Sequence, residues 1–321
     1  MNTEKLVVSY PPHWHCGSSI SSKNYQIMLA ALPAVIVGVY HYGLDAARVI
    51  AFSIACAMIA EVLVNLVTKR EISIYDGSAA LTGLLFGMLV PASTPWWLVI
   101  VGTFLAIIVG KQVYGGIGAN PFNPTLVGFA IVLVSWKDIL DFDEALLNYD
   151  TGFIMAYPLA SLKHFGVAAT AKYQLLDLFL GRQAGGIGAA CGLALLLGGI
   201  YLILRGFIRW EISFSFILGV LITALFFNIS NPEKYASPMF HVVTGNVLLG
   251  AFFLATDDTT SPVNFVPMLI FGAMCGFLTV LIRCVGIYYD GVVFAILLMN
   301  ITQPLLDRIR PKALGRVIQN A

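Results

Sequence analysis

Apolar runs long enough to cross a bilayer recur ten times along this chain, and they constrain its fold more than any other feature. They lie near residues 25–43, 47–67, 77–91, 96–110, 119–136, 185–204, 212–229, 237–256, 263–282 and 286–306. A helix of about 20 apolar residues spans the hydrocarbon core. A membrane β-barrel would instead show short alternating segments. Only 11% of the 321 residues are charged, against about 25% in soluble domains. An ordinary soluble enzyme and a disordered chain are therefore excluded. A formal net charge of +1 leaves no basic surface for nucleic acid. The pattern predicts an all-α polytopic membrane protein of about ten transmembrane helices.

The charges predict its orientation. Ten spans place both termini on one side. Lys5, Lys23, Lys69, Arg70, Lys111, Arg205, Arg209, Arg308, Arg310, Lys312 and Arg316 sort to that side, eleven in all, and seven lysines and arginines to the other. The positive-inside rule then puts both termini in the cytoplasm. Residues 1–23 are mostly polar and show no signal-peptide core, so the first run is expected to direct insertion. The expected organisation is a cytoplasmic segment 1–23, a five-helix repeat 24–136, an extracytoplasmic loop 137–184, a second five-helix repeat 185–306 and a cytoplasmic tail 307–321.

The two halves share a weak internal pattern. Ala80–Phe86 in the third span parallels Val247–Phe253 in the eighth, each preceded by a glycine and followed by a polar or proline-bearing turn. Five spans per half would invert the second copy, and inverted repeats with broken helices place ligand sites near their interface. Gly83-x-x-x-Gly87 and Gly188-x-x-x-Gly192 are small-residue motifs suited to close helix packing.

One segment breaks its helix inside an apolar region. Gly115-Gly116-Ile117-Gly118-Ala119-Asn120-Pro121-Phe122-Asn123-Pro124 opens the fifth span. Such backbone must be buried in protein or line a cavity. Asn120 and Asn123 offer neutral donors and acceptors for the polar edge of a heterocycle, and Phe122 offers a stacking face. A structural re-entrant turn is the alternative. Carboxylates in or beside spans mark ion routes. Glu61 lies well inside the second span, and Asp257 and Asp307 lie at span ends, where capping is the plainer role. Four of the five cysteines are scattered, and three of these sit in apolar runs as small hydrophobes. Cys16 follows His13-Trp14-His15, an incomplete metal half-site. No hydrolase, metalloprotease or P-loop motif is present.

Gly115–Pro124, continuing through Thr125-Leu126-Val127-Gly128, resembles the G-x-N-x-F-N-P-A-L signature of a membrane flavoprotein family. Gly185-Gly186-Ile187-Gly188 resembles that family's G-S-I-G-E segment, and Ala255-Thr256-Asp257 its A-T-D turn. The family comprises RnfD, from the Rnf ion-translocating oxidoreductase, and NqrB, from the Na⁺-translocating NADH:quinone reductase. The short N-terminus, ending in Pro12-His13 before the first span, is more like the RnfD branch. The resemblance runs from Leu32-Pro33-Ala34 to Asp307. It implies a membrane component of a complex that couples ferredoxin:NAD electron transfer to Na⁺ or H⁺ transport, not catalytic alone. It implies riboflavin near Asn120, Phe122 and Asn123, ion coupling through Glu61, Asp257 and Asp307, and other Rnf-type subunits as partners.

The family also carries FMN on a threonine in an outward loop with the pattern D-x-x-(S/T)-G-A-T-P-L. Here Ile154-Met155-Ala156-Tyr157 stands before Pro158-Leu159, so Tyr157 replaces the acceptor threonine and Ala189 replaces the glutamate of G-S-I-G-E. Thr151 and Thr170 are poor substitutes by context. No covalent FMN is expected at the usual position. FMN is then held non-covalently, or electrons come from another partner, such as an FMN-bearing subunit or an extracytoplasmic cytochrome. Two other readings stay open: a non-redox transporter or channel on the same scaffold, and a structural anchor for a redox partner.

Overall fold

The computed structural model describes residues 19–70, 73–147, 149 and 152–310. The His13-Trp14-His15-Cys16 half-site, Thr151 and the tail from residue 311 lie outside these. Among the described residues the regular structure is all helical.

The first helix, α1 (Ile20–Val67), is two crossings in one. Ser19 caps it, its hydroxyl accepting from the Ser22 N–H at 3.1 Å. At Gly43 the backbone turns to φ 65°, ψ −145°, a left-handed conformation that favours glycine. The arms 20–42 and 44–67 therefore reverse with almost no connecting loop. The remaining crossings are α2 (Ser78–Leu89), α3 (Trp96–Ile108) and α4 (Pro124–Ser135). After the loop helix α5 (Pro158–Phe165) come α6 (Gly192–Leu204) and α7 (Trp210–Ser230). Then follow α8 (Pro238–Val243), α9 (Val247–Leu249) with its π turn Gly250–Leu254, α10 (Phe265–Val285) and α11 (Val292–Leu306).

Contacts sort the connections onto two ends. At the termini end Asn24 Nδ2 donates to the Asp76 carbonyl at 2.7 Å, Lys23 pairs with Asp258, and the Val263 N–H meets Asp307 Oδ1 at 3.2 Å. At the loop end Tyr149 Oη donates to Asp45 Oδ2 at 2.8 Å, and Lys163 Nζ reaches the Gly286 carbonyl at 2.6 Å. Among the described residues the chain thus alternates ends ten times, counting α8 and α9 as one. Four stretches are long and apolar enough to cross unaided: Ile20–Val67, Trp96–Tyr114, Trp210–Ser230 and Phe265–Val285. The shorter helices α2, α4, α6 and α11 hold 12 to 15 residues. A 12-residue helix rises only about 18 Å, so irregular backbone completes these crossings and has to be sheltered by protein.

Small residues let the helices close up. A Cβ on Gly83 would lie 2.6 Å from the Ser53 carbonyl, and one on Gly87 2.5 Å from Ser53 Oγ. That motif seats α2 on the second arm of α1, as its spacing predicts. The second motif behaves differently. Gly188 precedes α6, so it shares no helix face with Gly192. A Cβ on Gly188 would lie 2.5 Å from the Met88 side chain, and the residue packs instead against the end of α2.

Candidate functional site

Two helix ends, one in each half, are met by the same five-residue sequence. Gly115–Ala119 and Gly185–Ala189 both read Gly-Gly-Ile-Gly-Ala. The second copy lies on the end of α2, where the Ile187 N–H bonds the Val90 carbonyl and the Gly188 N–H the Met88 carbonyl, both at 3.1 Å. The first copy delivers Asn120 and Asn123 to the end of the α9 π turn. This repeated string is readable in the sequence; its two partners are not, because they come from distant spans.

At the termini end, Gly115, Gly116 and Gly118 take φ of 120°, 106° and 89°, which forces the chain out of helix ahead of α4. Asn123 then caps α4. Its Oδ1 accepts from the Thr125 N–H at 3.0 Å and the Leu126 N–H at 3.4 Å, while Nδ2 donates to the Leu254 carbonyl at 3.0 Å. Asn120 Nδ2 donates to the Phe122 carbonyl at 3.0 Å and to Thr259 Oγ1 at 2.8 Å. Thr259 and Thr260 in turn donate to Asp257 Oδ2 at 2.8 and 3.1 Å. Thr259 therefore joins Asn120 to Asp257, Asn123 reaches the same turn through the Leu254 carbonyl, and Phe122 sits half-buried between the asparagines.

Beside Asn123 is a cavity of about 80 Å³, walled by Thr82, Thr125, Thr256, Asp257, Phe252 and Ile27 among others. Its mixed hydroxyl, amide and aromatic lining fits the polar edge of a flavin ring. The volume holds such an edge rather than a whole ligand, since drug-sized ligands occupy about 300 Å³ or more.

The other two acids lie apart from this network. Asp307 accepts from the Val263 N–H and, through Oδ2, from Gln303 Nε2 at 2.5 Å. These bonds tie the end of α11 to the turn that follows the π turn. Glu61 is fully buried and faces Lys111, itself 3% exposed. Glu61 Oε1 accepts from Lys111 Nζ at 2.7 Å, Ser73 Oγ at 3.0 Å and Gln112 Nε2 at 3.3 Å. Sequence reasoning marks Lys111 only as a cytoplasmic positive charge. Its signal is its place, at the apolar end of α3 just before the glycine break.

At the loop end Tyr157 stands at the N-cap of α5, with Pro158 in the first turn. Its N–H donates to Asp143 Oδ1 at 2.5 Å, and its ring lies 4.8 Å from that of Phe142. The side chain is 2% exposed and the buried phenol oxygen has no hydrogen-bond partner. Burial, reinforced by the Asp290 charge, holds the phenol well above its usual pKa. The crevice shared by Tyr157, Gly185 and Ala189 is closed to about 0 Å³. The two departures from the family pattern thus face one space, where the larger residue at 157 occupies room beside the smaller one at 189. The adjoining cavity, lined by Phe142, Lys137, Tyr289 and Asp290, measures about 50 Å³. A flavin ring does not fit at this position, and Tyr157 shows no approach for a phosphoester.

A roomier recess of about 480 Å³ opens nearby. Tyr40, His41, Phe153 and Tyr173 line it with Lys172 and Arg182. The His41 and Phe153 rings meet edge to face at 5.2 Å.

Comparison with known proteins finds relatives along nearly the whole chain. A family model described as the NQR2, RnfD, RnfE family covers residues 7–315. The chain is 37% identical over 310 residues to the D-type subunit of the Na⁺-translocating ferredoxin:NAD⁺ oxidoreductase complex of Acetobacterium woodii, covering 96% of this chain and 94% of the relative. It is 37% identical over 312 residues to the D-type subunit of the proton-translocating ferredoxin:NAD⁺ oxidoreductase complex of Clostridium ljungdahlii, covering 94% of each. To the D-type subunit of the ion-translocating oxidoreductase complex of Pectobacterium atrosepticum it is 36% identical over 326 residues, covering 90% and 93%. A sodium and a proton relative lie equally near, so overall similarity does not choose the ion.

Proposed function

The chain belongs to the NQR2, RnfD, RnfE family, and from that premise we propose that it is the D-type membrane subunit of an Rnf-type ion-translocating oxidoreductase, working with other Rnf subunits. Its part is to carry electrons through the membrane between ferredoxin and NAD⁺ chemistry while a cation, Na⁺ or H⁺, crosses. Both termini lie in the cytoplasm, by the distribution of lysine and arginine. The observation that carries this reading is the bond network from Asn120 and Asn123 to Leu254, Thr259 and Asp257. It joins the broken helices of both halves beside a polar cavity, where inverted-repeat membrane proteins place their sites.

A riboflavin-type flavin fits this network by donor chemistry. Asn123, Thr82, Thr125 and Thr256 would meet its ring edge, and Phe252 its face. When bound, such a flavin supplies one- and two-electron redox chemistry. The residues orient it: Asn123 fixes the start of α4 to the π turn after α9, and Asp257 Oδ2 accepts from two hydroxyls that hold its carboxyl in place.

The outer flavin differs from the family pattern. Tyr157 fills the usual position, so FMN, where present, is held non-covalently, and the 480 Å³ recess supplies aromatic walls with Lys172 and Arg182 for ring and phosphate. Electrons reach this side from an FMN-bearing subunit or an extracytoplasmic cytochrome. The test is purification of the complex through a tag on this chain. Ferredoxin-dependent NAD⁺ reduction, coupled to cation uptake in liposomes and lost on deletion of this chain, supports the reading. Flavin-free protein that passes solute without electron transfer overturns it.

A further inference from the structure

Glu61 and Lys111 form an ion pair buried among membrane helices, and only one of the two carboxylate oxygens is used. Oε1 accepts from Lys111, Ser73 and Gln112. Oε2 is buried without a partner, although a carboxylate oxygen removed from water is costly when left alone. Lys111 has a second acceptor, Ser78 Oγ at 2.5 Å. Ser78 Oγ donates onward to Asp76 Oδ1 at 2.7 Å. Asp76 and Ser78 are half-exposed at the termini end. One hydroxyl thus separates the buried ammonium from a second carboxylate that water reaches.

We propose that Lys111 is the resident counter-cation of Glu61, and that the translocated cation loads onto Glu61 only as the Lys111 ammonium withdraws along Ser78 toward Asp76. This inference rests on the translocating function proposed above. The charges require the exchange. Glu61 with Lys111 is neutral; adding Na⁺ or H⁺ beside both would leave a net positive charge at a buried site, which membrane interiors disfavour. After the exchange Glu61 is neutralised by the incoming cation and Lys111 by Asp76, so each carboxylate keeps one partner. Oε2 supplies the unused lone pairs for the arriving ion, and Asp76 marks the side from which it comes. Ser73, which accepts from Asn65 Nδ2 at 3.2 Å, and Gln112 keep their bonds to Oε1 while the lysine moves.

The experiment uses the assembled complex in liposomes and reads two quantities: the cation concentration for half-maximal electron transfer, and cations moved per electron. Lys111→Arg keeps the charge, and assembly of the variant complex on gel filtration checks that the fold is kept. Its guanidinium binds carboxylates in a bidentate fork and stays charged. The half-maximal concentration should rise by about tenfold, the factor given by about 1.4 kcal/mol of stronger pairing. Lys111→Gln should lower that concentration and drive cations per electron toward zero, since nothing then expels the bound ion. A purely structural pair would be served by arginine. A Lys111→Arg complex with wild-type half-saturation and wild-type stoichiometry overturns the proposal. Wild-type complex without cation-dependent electron transfer would instead refute the translocating function itself.

Discussion

The side-chain amide of Asn123 donates to the backbone carbonyl of Leu254 at 3.0 Å, a single bond from the broken helix of one half to the terminal turn of the other. The same side chain caps α4. Asn123→Ala should therefore cost more than an ordinary cap. A lost cap is worth about 1 kcal/mol, and a stranded buried carbonyl adds about 1–3 kcal/mol. Thermal unfolding of the purified complex should show the drop, with flavin loss on gel filtration. Asn123→Asp keeps the cap but sets a buried carboxylate oxygen against the Leu254 carbonyl, so its cost should equal or exceed that of the alanine variant.

Tyr157 leads to a second expectation. Its phenol oxygen is buried without a partner, so Tyr157→Phe should leave the melting temperature unchanged or raise it, by up to about 1 kcal/mol of stability. Tyr157→Thr restores the family's residue but leaves recognition residues absent, and should cost about 3 kcal/mol for the cavity it opens. Neither variant nor the wild type should carry denaturation-resistant flavin, read by in-gel ultraviolet fluorescence and intact mass. Covalent flavin mapping to residues 152–170 in the wild type would contradict the buried phenol.

Asp143 gives the outer loop a pH dependence. Burial raises its carboxyl above the ordinary value of 3.8, opposed by the Tyr157 N–H and assisted by Asp141. A group whose folded pKa is raised binds its proton more tightly when folded. The loop should therefore gain stability as pH falls through the raised pKa, with the gain complete below 3.8. Hydrogen exchange of the α5 amides, corrected for intrinsic rate, should slow between pH 7 and pH 4. Asp143→Asn should flatten that trend.

Gly83 tests the packing of the first half. A Cβ there would sit 2.6 Å from the Ser53 carbonyl and 2.8 Å from the Ile54 Cα, both backbone atoms that do not yield easily. Gly83→Ala should destabilise the protein by about 1–3 kcal/mol, visible as a lower melting temperature. Ser53→Ala alone should not rescue it, because the clash is with the carbonyl.

Much of this architecture is legible in the sequence because lipid enforces it. Apolar runs of the right length have no other stable use, so ten crossings can be read. The glycines and prolines of 115–124 announce the broken helix for the same reason. The break at Thr244–Asn246 is only faintly legible: Gly245, at φ 68°, is its one mark, and the interruption is held by Arg283, whose guanidinium bonds the His241 and Thr244 carbonyls at 2.7 and 3.1 Å. The sixth span also begins later than its apolar run suggests, because 185–191 is non-helical and pairs with the end of α2. At the candidate site, type and position are enough to find Asn120, Asn123 and Asp257. They are not enough for Lys111, since a basic residue at a span end ordinarily reads as an orientation signal. Its burial depends on Glu61 fifty positions earlier, a relation that one sequence does not display.

The reversal at Gly43 leaves the first hairpin almost bare at the loop end, and the long loop later covers it: Tyr149 lies on Tyr42 with ring centroids 5.6 Å apart, and Phe153 lies on His41. The same loop reaches the second half through Lys163 at Gly286 and Gln183 at Val243. During synthesis, where chains emerge N-terminus first, the earliest hairpin must therefore wait in the bilayer with its tip unclasped for about a hundred residues. The loop then acts as the clasp of the finished protein, and biogenesis has one late closing step on which both halves depend.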